Sequence, residues 1–205
     1  MYREFIKKQQ QPLLVVISGP SGVGKDTVLQ RMKELLLPFH FVVTATSRPK
    51  REGEIEGVDY FFVSPDEFLE MIDKNELLEH AIVYNEHKGI PKQQVQDAFA
   101  SGRDVIMRID VQGAETIRQL YPEALLIFLS TQTEDELIAR LKARRTESEE
   151  KLQLRIDSAR DELHKVDIFD YYVVNADGQI DTTVDAIVAI IESEHRRSNP
   201  RQLRL

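Results

Sequence analysis

The chain has no cysteine and no tryptophan among its 205 residues. The first absence excludes disulfides, thiolate catalysis and cysteine metal sites, and fits a reducing compartment, with the cytoplasm as the expected location. No apolar run approaches the roughly 20 residues that span a bilayer, so no membrane partner is expected. Excess positive charge is lacking too: the formal net charge is −8, against the basic face needed to track a nucleic-acid backbone. Repeats and low-complexity segments are missing, which removes solenoids and linkers. What remains, 41% hydrophobic and 30% charged residues, suits one globular unit with subdomains.

Leu13 to Ser18 is a short apolar run ended by Gly19, the pattern of a strand buried on both faces of a parallel sheet. A helix is predicted over Lys25 to Leu37, with further strands at Phe39–Val43, Asp104–Ile109, Leu125–Leu129 and Tyr171–Val174, and a closing helix at Thr182–Glu194. Alternating strands and helices imply right-handed crossovers and ligands at the carboxyl ends of the strands. Two charged stretches, Thr44–Pro91 and Thr131 to about Arg160, interrupt the alternation and read as insertions over that end.

Between the first strand and its helix stand Gly19, Pro20, Ser21, Gly22, Val23, Gly24 and Lys25. Glycines there let backbone amides turn in around phosphate oxygens, the helix start adds its positive end, and Lys25 adds a full charge at the outer phosphates. Binding of a nucleoside triphosphate follows. The usual hydroxyl after the lysine is replaced by Asp26, followed by Thr27. An uncompensated carboxylate about 4 Å from a phosphate would cost roughly 4 kcal/mol per charge pair at an effective dielectric of 20. A compensating cation is therefore required: Mg2+, for which Asp26 is a candidate ligand, or Arg108.

The segment from Thr44 to Tyr60 joins Arg48 and Arg51 to hydroxyls and a phenol, groups suited to a phosphate monoester. Its pattern T-x-x-R-x-x-R-x-G-E-x-x-G-x-D-Y, with the phosphate loop, Ile109-Asp110-Val111-Gln112-Gly113, the Arg140–Glu150 stretch and Val174-Asn175, resembles the guanylate kinases from Leu13 to Glu194. The resemblance implies an α/β P-loop NTPase fold, three layers α/β/α around a central parallel sheet. It also implies a core of residues 12–43, 92–130 and 161–195, a GMP-binding subdomain at 44–91, a lid at 131–160, and flexible termini at 1–11 and 196–205. The arginines of the last segment, Arg196, Arg197, Arg201 and Arg204, are expected in solvent.

Carried over by position, the resemblance makes Lys25, Arg48, Asp110, Arg140, Arg144 and Arg155 the catalytic set. The loop from Gly19 to Thr27 and Asn175 would hold ATP. Thr44, Arg48, Arg51, Tyr60, Glu79, Lys88 and Asp110 would hold GMP, with dGMP a further candidate acceptor. Mg2+ would accompany ATP, with Asp110 reaching it through water. Glu79 suits guanine because one carboxylate can accept from both N1–H and the N2 amino group, while adenine offers neither pair of donors.

The sequence departs from the family at four positions. Lys88 and Ile90 stand where most members have a tyrosine and a hydroxyl, and Asp26 and Arg108 where they have a neutral hydroxyl and an acid. The last two are expected to form a charge-compensating pair. The set resembles the plastid and cyanobacterial branch. A monomer or weak homo-oligomer is expected. Two other readings stand beside this one: a sugar-phosphate kinase of the ribose bisphosphate class, which also has Asp after the loop lysine, and a catalytically silent protein-binding module.

Overall fold

The computed structural model describes residues 11–83, 86–143 and 149–203. In chain order the elements are β1 (Leu14–Ser18), α1 (Lys25–Glu34), β2 (His40–Phe41), β3 (Thr44–Thr46), β4 (Tyr60–Phe62), α2 (Pro65–Asp73), β5 (Leu77–Val83) and β6 (Glu86–Pro91). They continue with α3 (Lys92–Ala100), β7 (Val105–Arg108), α4 (Val111–Leu120), β8 (Leu125–Ser130), α5 (Glu134–Ala143), α6 (Glu149–Leu163), β9 (Tyr171–Val174) and α7 (Ile180–His195).

Five strands make a parallel sheet in the order β2-β7-β1-β8-β9. β1 is its centre, and every residue of it is buried. Alternation assigns its side chains to two cores: Val15 and Ile17 join Val28 and Met32 of α1 and Ile187 of α7, whereas Leu14 and Val16 join Val95 of α3 and Ile117 of α4. Each such side chain removed from water stabilises the fold by about 1.5–3 kcal/mol, and a one-residue slip would exchange the cores. This is the α/β/α layering that the strand-helix alternation predicts.

The segment after β2 builds a second sheet, β4-β3-β6-β5, mixed in direction. It packs its own small core of Ala45, Phe68 and Leu77 under α2. Ser64 starts α2 with a capping box, its hydroxyl accepting from Glu67 N and the Glu67 carboxylate accepting from Ser64 N, an arrangement that contributes about 1 kcal/mol.

Three elements differ from expectation. The strand predicted over Phe39–Val43 keeps only two residues, because the Gln94 side chain takes both backbone groups of Val43, donating to its carbonyl at 2.9 Å and accepting from its N–H at 3.0 Å. α1 stops at Glu34 rather than Leu37, since Leu36 turns into the left-handed region at φ +52°. In the last segment, expected to be flexible, residues 196–199 are exposed but Arg201 and Leu203 lie against the body. The Arg201 Nε donates to the buried Glu194 at 2.7 Å, its Nη2 lies 3.3 Å from Asp170, and Leu203 packs on the second core. Burying Glu194 demands paired charge, and Arg201 and Arg197 supply it. Arg204 and residues 1–10 fall outside the described residues.

Asp104, just before β7, ties three distant parts together. It accepts from Leu13 N at 2.8 Å, and its other oxygen lies 2.8 Å from His195 Nε2 at the end of α7. Among the described residues no helix is long and apolar enough to cross a membrane.

Candidate active site

Both sheets open onto one cavity of about 620 Å³. The loop between β1 and α1 forms one wall, with Gly19, Ser21, Gly22, Gly24, Lys25 and Asp26. Gly24 caps α1 in the left-handed conformation, φ +92°, and a Cβ there would stand 2.5 Å from the Asn175 side-chain nitrogen. No other residue type fits that turn without moving Asn175. Lys25 curls back on its own loop, donating to Gly19 O and, at 3.1 Å, to Pro20 O. Burial lowers its pKa to about 8, opposed by the nearby carboxylates of Glu162, Asp26 and Asp110.

The opposite wall comes from the second sheet. Thr44 and Tyr60 are register partners on β3 and β4, and Arg48, 6% exposed, lies over the Tyr60 ring with its guanidinium carbon 4.7 Å from the centroid. Glu54 holds Arg48 by a two-pronged ion pair and Pro49 O accepts a further bond at 2.9 Å. The hydrogen bonds that Arg48 donates to Glu54 raise the pKa of its guanidinium, and the same carboxylate accepts from Arg51 N at 2.8 Å. Arg51 and Lys88 complete this wall. Burial lowers the Lys88 pKa, and Asp110 opposes the shift.

Glu79 on β5 is 4% exposed, and its Oε2 has no hydrogen-bond partner among the described residues. Burial, then the Asp110 charge, raises its pKa to about 8. Its room is made by Gly113 in the first turn of α4: a Cβ there would lie 2.8 Å from Oε2. Asp110 caps the same helix, accepting from Gly113 N at 3.0 Å. A buried carboxylate lacking a donor costs stability, and it faces a cavity a ligand can enter.

Other expected residues fall in different places. Arg155 lines the cavity, but Arg140 does not. It grips the back of the loop, donating to Val23 O at 3.3 Å and Asn175 O at 2.9 Å, with Glu136 at 2.5 Å. Asn175, expected to meet ATP, spends its amide on Val23 O at 2.8 Å and accepts from Thr183 at 3.1 Å. Both residues brace the loop from behind. Thr27 opens toward a second cavity beyond Asp26, and Ile90 is wholly buried in the second core, off the cavity wall. Arg144 lies outside the described residues.

The expected contact between Asp26 and Arg108 is present as an ion pair. One wall residue carried no sequence signal: Glu162, in the last turn of α6, accepts from Ser21 N at 3.3 Å. Burial raises its pKa, and Lys25 works against that shift. In a helix as charged as α6, one more glutamate looks like any solvated side chain.

No group of three or more acidic or histidine side chains among the described residues could hold a metal alone. Asp26 and Asp110 both line the cavity and both act on Lys25. Two hard carboxylates fit Mg2+, which characteristically shares its shell with phosphate oxygens and water.

The family model for guanylate kinase matches residues 11–194. Guanylate kinase 2, chloroplastic/mitochondrial, from Oryza sativa subsp. japonica is 48% identical over 196 residues, covering 95% of this chain and 69% of the relative. The crystal structure of guanylate kinase from Anaplasma phagocytophilum superposes with a TM-score of 0.75 at 29% identity, over 91% of this chain and 88% of that one. A phosphate loop facing a buried, unpartnered carboxylate across a single cavity accords with these likenesses, and the chain belongs to the guanylate kinase family.

Proposed function

We propose that this cavity transfers the terminal phosphate of ATP to GMP, yielding ADP and GDP, as a step of purine nucleotide metabolism in an aqueous, reducing compartment such as the cytoplasm. The observation that carries the reading is the shared cavity, whose loop wall suits a triphosphate and whose facing wall suits a guanine monophosphate.

The loop amides and Lys25 receive the β- and γ-phosphates, and Lys25 exchanges its carbonyl acceptors for phosphate oxygen. Anionic phosphate favours the charged lysine that burial disfavours. On the acceptor side Arg51, Lys88 and the Tyr60 hydroxyl meet the GMP phosphate, and Arg48 is held beside them by Glu54. Thr44 and Glu79 read the base. Glu79 must be ionised to accept both guanine donors, so GMP binding supplies the partners that its Oε2 lacks and draws off its proton. Phosphoryl transfer then needs alignment and neutralisation rather than covalent help. Lys25 and Arg155 supply charge from this chain, and Arg140 acts through the loop it braces. Asp26 and Asp110 would hold Mg2+ together with water, and the ion would supply positive charge to the ATP phosphates. Residues 44–91 serve as the GMP-binding part and 131–160 as the lid, and closure of the two excludes water.

The test is ADP formation from ATP and Mg2+ with GMP, dGMP, AMP, CMP, UMP or ribose 1,5-bisphosphate as acceptor, repeated with Glu79→Ala and Lys25→Ala. Turnover confined to the guanine nucleotides and lost in both variants is expected. A drop of about 10²–10³ in kcat for Lys25→Ala matches loss of one transition-state contact. Turnover with ribose 1,5-bisphosphate and not GMP would overturn the reading.

A further inference from the structure

Arg108 ends β7, and its side chain, 17% exposed, lies where donor loop and acceptor wall meet. Three observations converge on it. Its Nη1 donates to Asp26 in the first turn of α1. Its guanidinium carbon is 4.8 Å from the centroid of the Tyr60 ring, the ring that Arg48 also covers at 4.7 Å. It lines the first cavity as well as the second one, of about 700 Å³.

A guanidinium carries five N–H donors. Among the described residues only Nη1 of Arg108 has an acceptor, so the donors on Nε and Nη2 stay available at a cavity wall. A forked cation fixed by stacking on an aromatic ring, with donors to spare, suits phosphate oxygens, which it can bind two at a time. A lysine would lack both the stacking plane and the fork.

We propose that Arg108 is a further phosphate-binding residue of the acceptor site, and that Asp26 is a positioning residue that aims it from the donor loop. This rests on reading the Tyr60 wall as the seat of the GMP phosphate. It gives the exchanged charges at positions 26 and 108 a role beyond local balance. The acidic residue on the ATP side holds a cation that serves the other substrate.

The experiment is calorimetric binding of GMP and of guanosine, without ATP or Mg2+, to the full chain and to Arg108→Ala, Arg108→Lys and Asp26→Asn, with thermal unfolding of each. Arg108→Ala should weaken GMP by about 10- to 100-fold, the range of a charge-assisted hydrogen bond, and leave guanosine unchanged. Arg108→Lys should recover only part of the loss. Asp26→Asn should weaken GMP about threefold, as expected for a partly exposed pair, again sparing guanosine, and should add nothing when combined with Arg108→Ala; an undiminished further loss in that double variant would overturn the positioning role. GMP affinity within twofold of the parent in both Arg108 variants, or equal losses for GMP and guanosine, would overturn the inference alone. A parent chain that binds GMP no better than guanosine would overturn the acceptor-site reading itself.

Discussion

The two walls of the cavity handle their buried charge in opposite ways. On the donor wall Lys25 already has two carbonyl acceptors, and Arg140 and Asn175 fasten the loop from behind. On the acceptor wall Glu79 is left with an oxygen that nothing among the described residues satisfies, and Arg108 with donors that none of them takes. Burial drives both key groups to about 8 from opposite directions, down for Lys25 and up for Glu79. A wall that satisfies itself is rigid before the ligand arrives and recognises it by shape and charge. A wall that leaves groups unsatisfied has more to gain from the right ligand, because a wrong one leaves them unpaired. Discrimination should therefore concentrate at the acceptor wall.

The sharpest challenge to that contrast is Glu79→Gln. The amide offers one acceptor where guanine presents two donors, so kcat/KM for GMP should fall about 100-fold or more, with KM for ATP unchanged. Equal losses for both substrates would erase the distinction between the walls. Gly113→Ala comes next: its Cβ would stand 2.8 Å from Glu79 Oε2, and KM for GMP should rise about tenfold. Alanine is the better helix former by about 1 kcal/mol, so urea unfolding should show that the damage is to recognition rather than to the helix. Asn175→Ala tests the donor wall. Losing one brace at Val23 should raise KM for ATP about threefold, the cost of a single hydrogen bond, with GMP unaffected.

The last effect is on stability against pH. The Glu79 pKa is raised in the folded chain from an ordinary 4.5 to about 8, so the folded state holds its proton more tightly than the unfolded one. The stabilisation linked to that proton is complete below about 4.5 and is lost as pH climbs to about 8. Thermal midpoints of the ligand-free chain should fall as pH rises across that window. They should fall less in Glu79→Gln.

Most of the donor wall was legible in the sequence, because the apolar run into Gly19 and the spacing to Lys25 follow from local rules of strand, turn and helix. Thr44, Arg48, Tyr60 and Glu79 were reached through a resemblance, and the structure brings them to one cavity. What could not be read were contacts between distant segments. Nothing local marks Gly113 as the neighbour of Glu79, sets Asn175 behind the loop rather than before it, or lets Gln94 end β2 at Phe41. Arg201 looked like one more solvated arginine, since the buried Glu194 that requires it is a helix residue with no unusual neighbours in sequence. Residues that serve by holding another part of the site leave their signature in space, and Glu162 and Asn175 are of that kind.

The carboxylate of Asp104 has a consequence for how the chain assembles as it is made. β1 is synthesised before the strands that flank it: its register partners in β7 come about 91 residues later and those in β8 about 110. Asp104 binds Leu13 just before β1 and His195 at the end of α7, far apart in sequence. A growing chain thus carries its central strand unpaired through most of synthesis, exposed to rival pairing partners. The clasp at Asp104 can shut only after α7 has left the ribosome, so the central sheet is completed late, whereas the second sheet, whose strands and core lie within residues 44–91, can assemble before it.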